Sequence, residues 1–410
     1  MRLTLNEVKK RIDKMIPKGL DYDIDVEAGS IAIITHTPQE FGKGGGESLT
    51  VKIAKSIKRR VVIRPHMDLL LSEDEVEQKI LETIPNEAMV RNIFIDPALS
   101  EVTIECDDPS TAVGHKGTII QSLRDEIGWL VNVTRAPAFE SRTQHDIRRY
   151  RREMADDRRG LLRKFGTRIY RPKRPGQPWA RITALGSYRE VGRAMHLVTT
   201  NESKVLVDVG AKPTVNKNEI QPFFNAPELL PLDNIDAVVL THAHVDHIAM
   251  LPVLFRYGYR GPVYCTPPTR DLMTLLQIDY IKVAQAEGTD PPYSKADIQE
   301  CIKHVVDIGY GEKTDIAPDI KISMENAGHI LGSSSVYMHI GEGSHEHRLL
   351  FSGDIKYEKS WLFDAAAVRF PKADTLVIES TYGGPQDFQP NRTDATHEIQ
   401  DLVKLAVSRS

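Results

Sequence analysis

At 410 residues, 27% of them charged, the chain exceeds one ordinary hydrophobic core, so several domains are expected. The formal net charge of −4 argues by itself against a nucleic-acid partner, and no run approaches the ~18 apolar residues of a transmembrane helix. Cys106, Cys265 and Cys301 lie far apart without ligand-like spacing, and the N-terminus lacks a signal core, which excludes a disulfide framework and fits a reducing cytoplasm.

Apolar residues at Leu5, Val8, Ile12 and Ile16 predict a helix that stops at Pro17. Short strands follow at 21–27 and 30–35, then the glycine run Gly42–Gly46, a basic helix at 48–59 and a strand at 60–64. The order then repeats. A helix is expected over 73–84, strands near 92–95 and 101–106, a turn Gly114-His115-Lys116-Gly117 opening a helix to Ile127, and a closing strand at 129–135.

A Gly-x-x-Gly alone is an ordinary helix-to-helix turn. Within this order of elements it resembles the type II KH fold, which implies that Gly114, His115, Lys116 and Gly117 contact single-stranded RNA. Gly42–Gly46 departs from the pattern and reads as a longer loop. The domains expected are thus a KH-like unit at 1–68 and a second, with the Gly-x-x-Gly, at 69–140.

The charge is unevenly spread. Residues 1–180 hold 31 Lys and Arg against 27 acids, the remainder 22 against 30, and 141–175 alone hold 13 against four. A basic linker helix is expected over 141–178, either a phosphate-tracking arm or a solvated helix. It ends at the proline-rich stretch 171–178.

From Trp179 short apolar strands alternate with glycine turns. Ile235–Leu240 reads as a buried strand, and directly after it come Thr241-His242-Ala243-His244-Val245-Asp246-His247. Three imidazoles and a carboxylate at this spacing can be divided between two divalent ions. Asp208 and Asp354 each end an apolar strand, and His329 stands between glycines.

These four stretches, in this order, resemble the motifs of the metallo-β-lactamase superfamily, an αββα sandwich with its ligands at one rim. The resemblance implies two Zn²⁺ ions, the first on His242, His244 and His329, the second on Asp246 and His247, with Asp354 bridging. Asp208 would orient a ligand histidine. Asp246, Asp208 and Glu379 are the residues expected to serve catalysis. His36, His66, His196 and His304 stand alone and read as structural or solvated, and His345-Glu346-His347 reads as a hairpin turn.

Ile378-Glu379-Ser380-Thr381-Tyr382-Gly383-Gly384 and the stretch 186–193 are similar to β-CASP nucleases. Two KH-like units before such a domain is the arrangement of the archaeal relatives of the cleavage and polyadenylation specificity factor. The fold class expected is therefore α+β multidomain, with two KH-like domains, a metallo-β-lactamase domain at 179–384 and the start of a β-CASP cap at 385–410. The resemblance implies a zinc-dependent ribonuclease in RNA 3′-end cleavage and archaeal transcription termination, with RNA polymerase and elongation factors as partners and homodimerisation through a C-terminal part.

It also implies a continuation beyond Ser410 with two further histidines. The 410 residues are thus expected to be a fragment that holds one zinc well, the second poorly, and cleaves RNA weakly. Two alternatives belong to other classes: an RNA-binding protein with a silent hydrolase domain, and a small-molecule hydrolase of the lactonase or thioesterase type.

Overall fold

Two segments with the same element order open the molecule, whose computed structural model describes residues 4–42, 47–172, 174, 178–213, 220–343, 346–388 and 391–409. The first comprises α1 (Leu5–Asp13), β1 (Asp23–Glu27), β2 (Ser30–Thr35), α2 (Pro38–Gly42), α3 (Leu49–Ile57) and β3 (Arg60–Pro65). The second comprises α4 (Glu73–Thr83), β4 (Val90–Asp96), β5 (Glu101–Cys106), α5 (Pro109–Val113), α6 (Thr118–Ile127) and β6 (Leu130–Arg135). In each, the first two strands pair antiparallel and the third joins parallel to the second.

Local chemistry explains the starts of these helices. Thr4 with Glu7 and Ser72 with Glu75 form capping boxes ahead of α1 and α4. Behind the caps, Val8 and Ile12, and Val76 and Ile80, are fully buried against their sheets. Burial of each such side chain contributes on the order of 1.5–3 kcal/mol. The regular apolar spacing therefore suffices to place these elements; residues 43–46 of the glycine run lie outside the described residues.

The basic stretch is not one helix. It divides at Met154 into α7 (Arg142–Glu153) and α8 (Ala155–Ile169), and many of its cations are paired. Arg163 reaches Asp25 at 2.5 Å, Arg148 reaches Glu105 at 2.9 Å, and Arg158 reaches Asp96 at 2.7 Å. Arg151 meets Asp307 at 2.9 Å, while Arg168 and Arg171 each meet Asp236 at 2.6 Å. These carboxylates come from both KH-like segments and from the sheet that follows. A phosphate-tracking arm needs open cations, yet Arg151 and Arg158 are buried. Much of the basic excess is therefore internal cement.

Residues 180–377 hold two further sheets. One runs β12-β11-β10-β9-β8-β7, from β7 (Ala180–Gly186), β8 (Met195–Thr200), β9 (Lys204–Val207), β10 (Ala237–Val239), β11 (Val263–Cys265) and β12 (Val305–Asp307). The other runs in chain order through β13 (Thr314–Ala317), β14 (Ile320–Asn326), β15 (Ser334–Ile340), β16 (His347–Phe351) and β17 (Thr375–Val377). Val205, Val207, Ala237 and Val239 pack face to face with Ile322, Met324, Val336, Met338 and Phe351 between them. Helices α9 (Val245–Ile248), α10 (Leu251–Arg256), α11 (Pro267–Ala286) and α12 (Lys295–His304) carry the apolar residues that cover the first sheet's other face.

The second sheet's outer face is crossed by an extended segment, where the Tyr337 hydroxyl donates to the Lys372 carbonyl at 2.8 Å. Residues Ile378–Ser410 form a separate unit containing α13 (Arg392–Ser408). Among the described residues, no helix is long and apolar enough to cross a membrane. All three cysteines are free and buried.

Candidate metal centre

Parallel pairing of β9 with β10 sets the site's first feature. Val207 lies opposite Val239, so Asp208, one residue past the strand, comes level with the loop that starts at Leu240. Asp208 adopts a left-handed backbone (φ +58°) and is 2% exposed. Its carboxylate accepts from the Thr241 N–H, the Thr241 hydroxyl and Nδ1 of His247, each at 2.8 Å.

That arrangement fixes tautomers. The Thr241 hydroxyl gives its proton to Asp208, so the 3.0 Å contact between Thr241 Oγ1 and His242 Nδ1 must use a proton on the ring. His247 likewise commits Nδ1 to Asp208. When neutral, both imidazoles then carry their lone pair on Nε2, the form a metal ion requires.

The residues after β10 are held by the chain 209–211. Val209 N–H donates to the His247 carbonyl at 2.8 Å and Ala211 N–H to the Val245 carbonyl at 3.1 Å. The approach is so close that a Cβ on Gly210 would stand 1.6 Å from the Asp246 carbonyl oxygen, which excludes any side chain there. His244 ends the loop and α9 begins at Val245, which carries Asp246 and His247 on its first turn.

Four ligand atoms, from His242, His244, His329 and Asp354, lie within 4.8 Å of one another. His242 Nε2 and His329 Nε2 are each 3.1 Å from His244 Nδ1 and 3.6 Å from Asp354 Oδ2. Tetrahedral coordination with bonds of ~2.0–2.1 Å separates its ligand atoms by about 3.3 Å, so this set fits a divalent ion. The other oxygen of Asp354, Oδ1, lies 3.4 Å from His247 Nε2, which is also 3.8 Å from Asp246 Oδ2. Asp354 thus faces both groups.

His329 is presented by the loop between β14 and β15, where its N–H donates to Ser333 Oγ at 3.1 Å. Gly328 before it has φ +67° and runs against the carbonyls of Lys356 and Asp364, a conformation and a fit that a side chain would disturb.

Burial, with His247, His244 and His329 around it, holds His242 well below the ordinary imidazole range. Burial also opposes a charge on His247, but Asp208 and Asp354 outweigh it and push His247 up to about 10. Burial raises the Asp354 carboxyl, and His247 overcomes that and holds it below the usual range. A proton and a metal ion compete for Nε2 of His247, so metal affinity there should fall as pH is lowered.

Thr241 is the contributor that motif reading missed; its signal was a hydroxyl residue directly before the first histidine, level with a strand-end acid. Asp208→Asn is expected to weaken binding of the metal at His247 by roughly 10–100-fold. A chelator-competition titration checks this, and unchanged affinity would remove Asp208 from its positioning role.

The other predicted residues lie elsewhere. Gly114–Gly117 joins α5 to α6, with His115 and Lys116 exposed and Gly114 and Gly117 at φ +75° and +81°. No side chain caps α6, and the Thr118 N–H that opens it donates to the His115 carbonyl. Glu379 belongs to the second unit, where its carboxylate accepts from the Thr381 N–H at 3.0 Å. In 345–347, His345 lies outside the described residues, and His347 pairs with Thr375.

Residues 189–407 match the family model of the metallo-β-lactamase superfamily, and residues 2–70 match that of the KH domain of transcription termination factor FttA. The second match falls on the segment whose glycine run departed from the KH pattern. Proteins named transcription termination factor FttA are similar along 99% of the chain: 40% identical in Methanosarcina mazei, 41% in Thermococcus kodakarensis and 36% in a Lokiarchaeum species. The chain spans 63% of the length of each of these relatives.

Proposed function

The chain belongs to the metallo-β-lactamase superfamily, in the branch of the archaeal FttA proteins, and from that premise we propose that it is the RNA-binding and metal-holding part of a zinc-dependent ribonuclease acting in RNA 3′-end cleavage and transcription termination. The observation that carries the reading is the convergence of His242, His244, His329 and Asp354 on one point, with Asp354 also reaching His247. Two KH-like segments ahead of this centre favour a single-stranded RNA substrate over a lactone or thioester.

Two Zn²⁺ ions at such a centre supply an activated water and neutralise charge that develops on a phosphoryl oxygen. The chain's own residues prepare for them. Thr241 and Asp208 engage Nδ1 of His242 and of His247, so each ring turns Nε2 toward the site, and Asp354 offers one oxygen to His242 and His329 and the other to His247. Asp246 brings a second carboxylate to the His247 side. RNA polymerase and elongation factors are the partners proposed, with homodimerisation of the whole protein through its C-terminal part.

Elemental analysis of the folded chain, with cleavage assays on labelled single-stranded RNA and on a thioester, tests the proposal. Zinc-dependent RNA cleavage supports it, whereas absence of zinc, or thioester hydrolysis without RNA cleavage, overturns it. Separately, Gly117→Asp places a negative charge where a phosphate would lie and should weaken single-stranded RNA binding by about tenfold or more at fixed salt, with metal content unchanged. Equal affinity in a filter-binding titration would discard the loop as an RNA contact.

A further inference from the structure

We propose that His36, His66 and Asp68 form a second divalent-metal site, suited to Zn²⁺, at one end of the first KH-like sheet. His36 and His66 read from the sequence as solitary histidines. Their pairing arises from topology. Strands β2 and β3 run parallel with Thr35 opposite Pro65, so the next residue on each is a histidine at the same level. The rings stack with centroids 4.0 Å apart at 25°.

Two carboxylates flank the pair. Asp21 accepts from Nδ1 of His36 at 2.5 Å, and Asp68 lies 3.2 Å from Nδ1 of His66. The Thr35 hydroxyl donates to the Asp21 carbonyl at 2.8 Å, which ties that carboxylate's backbone to the strand end. With Nδ1–H donated to Asp21, the lone pair of His36 sits on Nε2, the carboxylate–imidazole arrangement that usually orients a ligand histidine.

One ligand atom from each of His36, His66 and Asp68 falls within 4.8 Å of the others. An unprotonated imidazole offers one acceptor nitrogen to a metal ion. Two such nitrogens beside one carboxylate, with a second carboxylate behind, make a donor set that favours a borderline ion over Mg²⁺ or Ca²⁺. An ion held there would tie the turn at Met67–Leu69 to the ends of two strands. The site is half-open to water and independent of the centre at His242.

The test uses the full chain in a His242→Ala/His244→Ala background, which weakens the other centre. Samples are dialysed against micromolar free Zn²⁺ and metal is counted by mass spectrometry. Adding His36→Ala/His66→Ala should remove one equivalent of zinc, and Asp68→Asn should raise the Kd about tenfold. Identical zinc content with and without the histidine pair overturns the proposal. Should the double substitution unfold the segment by circular dichroism, Asp68→Asn decides, because that side chain is exposed; an unchanged Kd overturns the site.

Discussion

Asp354→Ala is expected to weaken divalent-metal binding at both positions of the centre at once. Among the described residues it is the carboxylate that reaches both groups, through Oδ2 to His242 and His329 and through Oδ1 to His247. Its loss should exceed the roughly 10–100-fold penalty that removal of an orienting partner brings, because a charged ligand itself is deleted. Asp246→Ala should be the contrast, since it touches the His247 side alone. Stepwise zinc titration against a chelator distinguishes them: two weakened steps for Asp354→Ala, one for Asp246→Ala. Wild-type affinity at either step in Asp354→Ala would refute the bridging assignment.

The second large effect concerns stability. Asp307 accepts from Arg151 at 2.9 Å and from Arg270 at 2.7 Å, and those two guanidiniums are 7% and 9% exposed. Asp307→Ala leaves both cations in the interior with one fewer partner, a change that costs about 3–5 kcal/mol for a buried pair. Asp307 itself is a quarter exposed, so the low end, about 3 kcal/mol, is expected. Arg151 retains Asp96 at 3.6 Å and Arg270 retains Asp271 at 2.7 Å, which limits the loss further. Thermal unfolding should shift down by several degrees, with little dependence on salt. A melting temperature within error of wild type would mean that water already solvates this cluster.

Asp307 also shows why the basic stretch was misread. Its partner Arg151 is 156 residues away in the chain, and Arg168 and Arg171 lie 68 and 65 residues from Asp236. A local excess of cations looks the same whether it faces phosphate or distant carboxylates. Only the fold brings the acids to it. The expected single helix likewise ran through Met154, where α7 gives way to α8 and Arg158 donates to the Arg151 carbonyl at 3.3 Å.

The candidate centre was legible where its logic is local. His242, His244, Asp246 and His247 are spaced by a strand end and one helical turn, and both are encoded by a few neighbouring residues. Thr241 and Gly210 were not legible, because each acts through a contact with another strand-end segment.

Outside the basic stretch, the sequence by itself determined most elements and their order, since apolar spacing, capping boxes and glycine turns act within a few residues. It also nominated His242, His244, Asp246, His247, His329 and Asp354 as candidate ligands. Tertiary structure alone decided that Asp354 faces two groups, that Asp208 selects the tautomers, and that His36 and His66 stack. Those outcomes depend on strand pairing and on distances between segments far apart in the chain, which no local pattern of residues records.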